Sequence, residues 1–169
     1  MKRQEESAVD IRVSSEENIA RILSKEWFVR GNLTTAAFAL EQGESYLSVN
    51  RTVIDTYDSD VTLFVKNHTS YVFDDSTYKR ALLNVGDVRG INEKVDQVEM
   101  KIDVEVEPRD RHTKSHAGIF TRFQNRNIKK GQLLKAGPTA EEVSGDTILL
   151  EVRKELKSLS SVEECKIVE

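Results

Sequence analysis

The stretch VEMKIDVEV, residues 98–106, alternates without a break between apolar Val98, Met100, Ile102, Val104 and Val106 and charged Glu99, Lys101, Asp103 and Glu105. Successive side chains of a β-strand point to opposite faces, so a two-residue period sends one set to a core and the other to water. The spacing predicts a half-buried strand with its charged set solvated, as in an antiparallel sheet with one wet face. Pro108 lacks the N–H that a ladder needs and ends the strand. Residues Ala117 to Phe123, AGIFTRF, read as a return strand with Ala117, Ile119 and Phe123 inward. In such a hairpin His116, Phe120 and Arg122 share the outer face with the acids. Ion pairs from Arg122 to Glu or Asp across the strands would then explain both charge blocks without any ligand.

Outward from this hairpin, Leu47 and Val49 alternate with Ser48 and Asn50, which predicts a short strand. Ala81, Leu82, Leu83 and Val85 precede two glycines and suit either a strand closing in a turn or a lone helical turn. Val61, Leu63, Phe64 and Val65 fit a short helix capped by Asp58 or Ser59, or a buried strand. Ser14 or Ser15 can cap a helix, Glu16 and Glu17 suit its first turn, and Ile19, Ile22 and Leu23 follow at helical spacing. A helix from about Ser15 to Glu26 is expected. Trp27 is expected to anchor the core ahead of a Gly31-Asn32 turn. At the other end Ile148, Leu149, Val152, Leu156 and Leu159 form one helical stripe, with Asp146 near the N-cap, and SVEECKIVE follows as a tail or edge strand. The architecture expected is a polar tail over residues 1–13 and a single α+β domain over 14–169. Its mostly antiparallel sheet is covered by an N-terminal and a C-terminal helix.

The chain has 169 residues, 38% hydrophobic and 32% charged, which suits one globular domain with a well-solvated surface. Its formal net charge of -4 speaks against a dedicated duplex-DNA binder. Cys165 is the only cysteine, so no intrachain disulfide forms and no Cys-based zinc site assembles. A reducing, cytoplasmic setting is expected, because MKRQEESAVDIRV has no apolar core of a leader and no run approaches the ~18 apolar residues of a membrane span. The NxT triplets at Asn32, Asn50 and Asn67 are then chance patterns. No GxGxxG, Walker A or GxSxG pattern occurs, and no cofactor is expected.

Chemistry concentrates in PRDRHTKSHAGIFTRFQNRNIKK, residues 108–130, where seven basic side chains face the single acid Asp110. Imidazole is the side chain whose ordinary range lies nearest neutral pH, and His112 and His116 stand in sequence beside Arg109, Arg111 and Lys114, groups able to hold an anion. A long loop could clamp a phosphate while His112 or His116, oriented by Glu105 or Glu107, serves as general acid or base. Read instead as ordinary surface charges, the same residues do nothing beyond solvation. His112 and His116 would share a helix face, but Pro108 and AGIF favour loop and strand, so no metal site is expected. His68 has no acid or histidine at ligand spacing and reads as a surface or helix-end residue.

The blocks AFALEQGESYLSVNR, residues 37–51, and SHAGI, residues 115–119, resemble a pattern in a family of small, uncharacterised bacterial proteins. There a sequence near AFxLxxxExxLSVNR precedes a later HAxI. The resemblance implies a bacterial or phage origin, carries no activity, and points to Ser48, Asn50, Arg51 and His116. Two functions follow. The first is a non-enzymatic binding or accessory protein that recognises an anionic, phosphate-containing ligand, RNA or a protein partner through residues 109–130. The second is a small enzyme acting on a nucleotide or nucleic-acid substrate, in which Arg51 holds the anion and His116, close beside it, moves a proton.

Overall fold

The computed structural model describes residues 11–40, 46–68, 70–91, 100–106, 113–123 and 143–168. Its main sheet has six strands in the order β6-β7-β4-β1-β5-β8, every neighbouring pair antiparallel. These are β1 (Asn18–Leu23), β4 (Leu47–Arg51), β5 (Thr77–Asn84), β6 (Met100–Glu105), β7 (His116–Phe123) and β8 (Ser161–Lys166). A small hairpin of β2 (Phe28–Val29) and β3 (Asn32–Leu33) stands apart. Its two connecting residues, Arg30 and Gly31, both have positive φ, 51° and 80°, as a turn matched to the right-handed strand twist requires. The α-helices among the described residues are α1 (Tyr57–Asn67), α2 (Val85–Arg89) and α3 (Val143–Leu159). A mostly antiparallel sheet with helices packed on it is the α+β architecture expected.

One sheet face carries the larger core, where Ile19, Leu47, Leu83, Ile102 and Ile119 meet Phe38 and, from α3, Val152 and Leu156. On the other face Tyr57, Val61 and Val65 of α1 pack against Ala20, Ile22 and Tyr78. Each aliphatic side chain removed from water in this way contributes about 1.5–3 kcal/mol.

The expected helix over residues 15–26 is a correction: Asn18–Leu23 form β1, and only Lys25–Trp27 make a single 3-10 turn, capped by Ser24. β1 lies in the middle of the sheet and is buried on both faces, from Ile19 to Leu23. A strand of that kind is apolar at consecutive positions, and the polar interruption at Arg21 leaves Ile19, Ile22 and Leu23 at spacings that mimic a helix. The stretch Tyr57–Asn67 resolves as helix, with Thr56 rather than Asp58 or Ser59 at its N-cap position. Ala81 to Asn84 end a strand, and Val85–Arg89 form a one-turn helix capped by Asn84, whose side chain accepts from Asp87 N–H at 3.0 Å. Asp146 falls inside α3, which begins at Val143. SVEECK is an edge strand, paired with β5 from Thr77–Lys166 to Leu82–Ser161.

The β6–β7 hairpin forms as expected, but its charged face is not wet. Ile102 and Val104 are buried, and so are Asp103 and Glu105. Asp103, 1% exposed, receives Arg89 Nε at 2.6 Å, Arg12 Nε at 2.8 Å and the Val104 N–H at 2.8 Å. The β6–β7 register sets Arg122 opposite Lys101. Residues at the end of the expected tail also join the sheet. Arg12 bridges Glu105, Val13 N–H donates to Val104 O at 2.9 Å, and Val106 N–H donates to Ile11 O at 2.8 Å. Residues 1–10 lie outside the described residues. No helix among the described residues is long and apolar enough to cross a membrane.

Candidate functional site

The site begins where the sheet is incomplete. β1 and β4 pair only at Ile19–Arg51 and Ala20–Asn50, although both strands run on past those residues. In place of further ladder bonds, the Arg21 side chain supplies donors: Nε to Ala37 O at 3.0 Å and Nη1 to Ser48 O at 2.9 Å. Its guanidinium lies 5.0 Å from the centre of the Trp27 ring, a cation–π contact, and Trp27 is half-buried while packing on the core. Arg21 is 2% exposed, and among the described residues no carboxylate pairs with it. Its Nη2 makes no hydrogen bond among the described residues. By strand alternation the side chain leaves β1 on the face of Ile19 and Leu23.

A cleft of about 580 Å³ lies between α1 and the sheet, lined in part by Arg21, Ser48, Asn50, Asp60 and His116. Helix α1 contributes Asp60, Leu63, Phe64, Asn67 and His68, a stripe at three- and four-residue spacing next to the Tyr57, Val61 and Val65 stripe that packs on the sheet. Leu63 is 53% exposed at the cleft and Asp60 is buried.

Ser115 ties the elements around the cleft together. Its N–H donates to Asp60 Oδ2 at 2.9 Å, its Oγ accepts from Asn50 Nδ2 at 2.9 Å, and its carbonyl accepts from Arg51 N–H at 2.7 Å. Asp60 Oδ2 also accepts from Thr56 Oγ1 at 2.8 Å. Asp60 Oδ1 has no hydrogen bond among the described residues and is not sealed. The Asp60–Ser115 bond holds the start of β7 against α1 and so fixes His116, whose register partner is Asn50. Beside it the Tyr46 ring lies over Gly118, where an added Cβ would come within 2.8 Å of Tyr46 Cγ. The absence of a side chain at Gly118 makes room for this ring, which is 5.8 Å from His116 and 4.7 Å from Phe120, centre to centre.

Of the residues expected from sequence, Ser48, Asn50 and His116 come together in the cleft. Arg51 does not join them. It follows Asn50 in β4 and turns to the other face, where Glu17 takes its Nε at 2.9 Å and Nη2 at 2.7 Å. This hydrogen bond, opposed by partial burial and aided by the Glu17 charge, raises the Arg51 pKa above its usual value. Arg51 and His116 are thus neighbours along the backbone ladder with side chains on opposite faces. Lys114 pairs with Asp55 at 3.1 Å on the exposed surface. Arg109, Arg111 and His112 lie outside the described residues.

Arg21, Asp60 and Tyr46 were not singled out by sequence. A usable signal was the lone arginine in the apolar run IARIL, because a charge in a strand buried on both faces must find partners or a ligand. His68 ends α1, as expected of a helix-end residue, with its ring 4.2 Å from Tyr71 and 4.6 Å from Phe64 and its Nδ1 accepting from Ser70 N–H at 3.3 Å. Among the described residues no three His, Cys, Asp or Glu side chains are grouped as metal ligands. Comparisons with protein-family models, curated proteins and solved structures gave no match.

Proposed function

We propose that this protein is a binding protein for a small anionic ligand, taken up in the cleft between α1 and the sheet. The observation that carries the reading is Arg21, a residue of the cleft lining that is 2% exposed, with two carbonyls and an indole for side-chain partners and no carboxylate among the described residues. Removing such a charge from water costs several kcal/mol unless an opposite charge offsets it, and a phosphate or carboxylate reaching the guanidinium through the open β1–β4 ladder would do so. Concavity favours a small ligand over RNA or a protein surface, since about 580 Å³ lies in the range of small-molecule sites. The enzymatic alternative loses its cationic partner, because Arg51 is engaged by Glu17 on the other face.

Thermal melts against inorganic phosphate and acetate, at matched ionic strength with chloride, test the reading. A ligand that binds only the folded state raises the melting temperature in proportion to RT ln(1 + [L]/Kd). Saturable stabilisation is expected in the native protein. It should weaken in Arg21→Lys, which keeps the charge and loses the planar fork, and in Leu63→Glu, which places a negative charge at the exposed edge of the cleft without disturbing packing. Equal responses in all three proteins, or none in the native one, would overturn it.

A further inference from the structure

We infer that Asp60 holds a protonated amine of the ligand in the cleft, a site that does not depend on Arg21 and that, joined to the anion reading, makes the ligand one carrying both charges. Asp60 lies in the first turn of α1, lines the cleft and is 8% exposed. Its Oδ2 takes two neutral donors, the Ser115 N–H at 2.9 Å and the Thr56 hydroxyl at 2.8 Å, while Oδ1 has no hydrogen bond among the described residues and is not sealed. Cations of the flanking segments are turned elsewhere. Arg51 is engaged by Glu17 on the opposite sheet face, Lys114 by Asp55, and Arg21 leaves β1 on the face of Ile19 and Leu23, whereas α1 packs on the face of Ala20 and Ile22. Taking a carboxylate out of water with no cation beside it is costly, and neutral donors with the helix dipole offset only part of that cost. A ligand amine donating to Oδ1 supplies the missing positive charge together with a charge-assisted hydrogen bond.

The rest of the lining favours an amine over other donors and cations. Phe64 stands one helical turn beyond Asp60 on the same stripe of α1 and His68 one turn beyond that, with their rings 4.6 Å apart, centre to centre. Aromatic rings attract an ammonium group, whereas a divalent metal ion needs about six oxygen ligands. Asp60 offers one open oxygen, and no three His, Cys, Asp or Glu side chains are grouped among the described residues. Ile22 and Leu63 add apolar wall for the carbon skeleton that carries the amine. A neutral hydroxyl would satisfy Oδ1 as a donor but leave the buried charge unbalanced.

Calorimetric titration with 2-phenylethylamine, protonated at neutral pH, and with its neutral isostere 2-phenylethanol, both in one chloride buffer, tests the site. The amine is expected to bind the native protein about tenfold or more tighter than the alcohol. Asp60→Asn keeps an acceptor for the Ser115 N–H and loses the charge, so it should remove that preference and leave the alcohol unchanged. Should this variant fail to fold, Leu63→Lys sets a positive charge at the exposed edge of the cleft and should weaken the amine but not the alcohol. Binding of neither probe to the native protein, equal binding of the two, a preference that survives Asp60→Asn, or a Leu63→Lys that weakens both alike removes the amine site. Phosphate stabilisation that depends on Arg21 would then still stand. If the amine preference depends on Asp60 while phosphate binds without regard to Arg21, the anion reading falls and the amine site remains.

Discussion

Asp103 joins three segments through one carboxylate: β6, which carries it, the residues around Arg12, and α2, which ends in Arg89. Burial alone would push its pKa up, but the Arg89 hydrogen bond, the Val104 N–H and the charges of Arg89 and Arg12 outweigh burial and hold it below the usual carboxylate value. Because the folded-state pKa is the lower one, the stabilisation is fully present above the unfolded value near 4 and is lost as pH falls through the folded value. Asp103→Asn is therefore expected to cost about 3 kcal/mol at pH 7 and to flatten the decline in stability below pH ~4. Urea melts of both proteins across pH 2.5–7 check this, and parallel acid limbs would contradict it. At Tyr78 the shift runs the other way, since burial and the hydrogen bond with Tyr57, whose hydroxyl accepts from Arg80 Nη1, raise its pKa and keep the phenol protonated.

At the scale of elements, α1 and α3 solve different problems. Helix α3 presents a single stripe, with Val152 and Leu156 sealed in the larger core and Lys154 and Lys157 in water. Leu156→Ala should cost about 2–5 kcal/mol, against a few tenths for Lys157→Ala, as read from chemical denaturation midpoints at unchanged slope. Equal costs would mean that α3 sits on the sheet by another face. Helix α1 carries two adjacent stripes, one packed and one lining the cleft, so its half-buried residues are shared between stability and binding. The β1–β4 pair shows the same division. Its short ladder gives up backbone bonds, and Arg21 replaces them with side-chain donors.

Across the whole molecule, stability is expected to fall from the sheet's interior to its β8 edge. β1 is flanked by β4 and β5 and covered on both faces, whereas among the described residues β8 pairs only with β5 and is almost wholly exposed. Native-state hydrogen exchange should find the slowest amides in β1 and β5, with those of β8 exchanging through smaller openings at lower free energy. Uniform protection across β1 and β8 would show that the sheet opens only as one unit. The charges of β8, Glu163, Glu164 and Lys166, blunt that edge against pairing with another chain.

Local periodicity alone determined several elements: the alternation of LSVN and MKIDVE, the return strand from Ala117 and the stripe of α3, whereas SVEECK stayed open between tail and edge strand. Each has one face toward a core and so writes its burial into consecutive residues. The stretch around Ile19 to Leu23 could not be read this way, because a strand covered on both sides has no polar face to set its period. The acids of β6 were legible as charges but not as buried ones, since their partners Arg12 and Arg89 are 91 and 14 residues away. For the site, Ser48, Asn50 and His116 were visible in short blocks, while Arg21 and Asp60 were not. What sets the latter two apart is an open ladder, a missing counter-ion and a backbone amide supplied by a distant strand, and these are properties of contacts that exist only once the chain has folded.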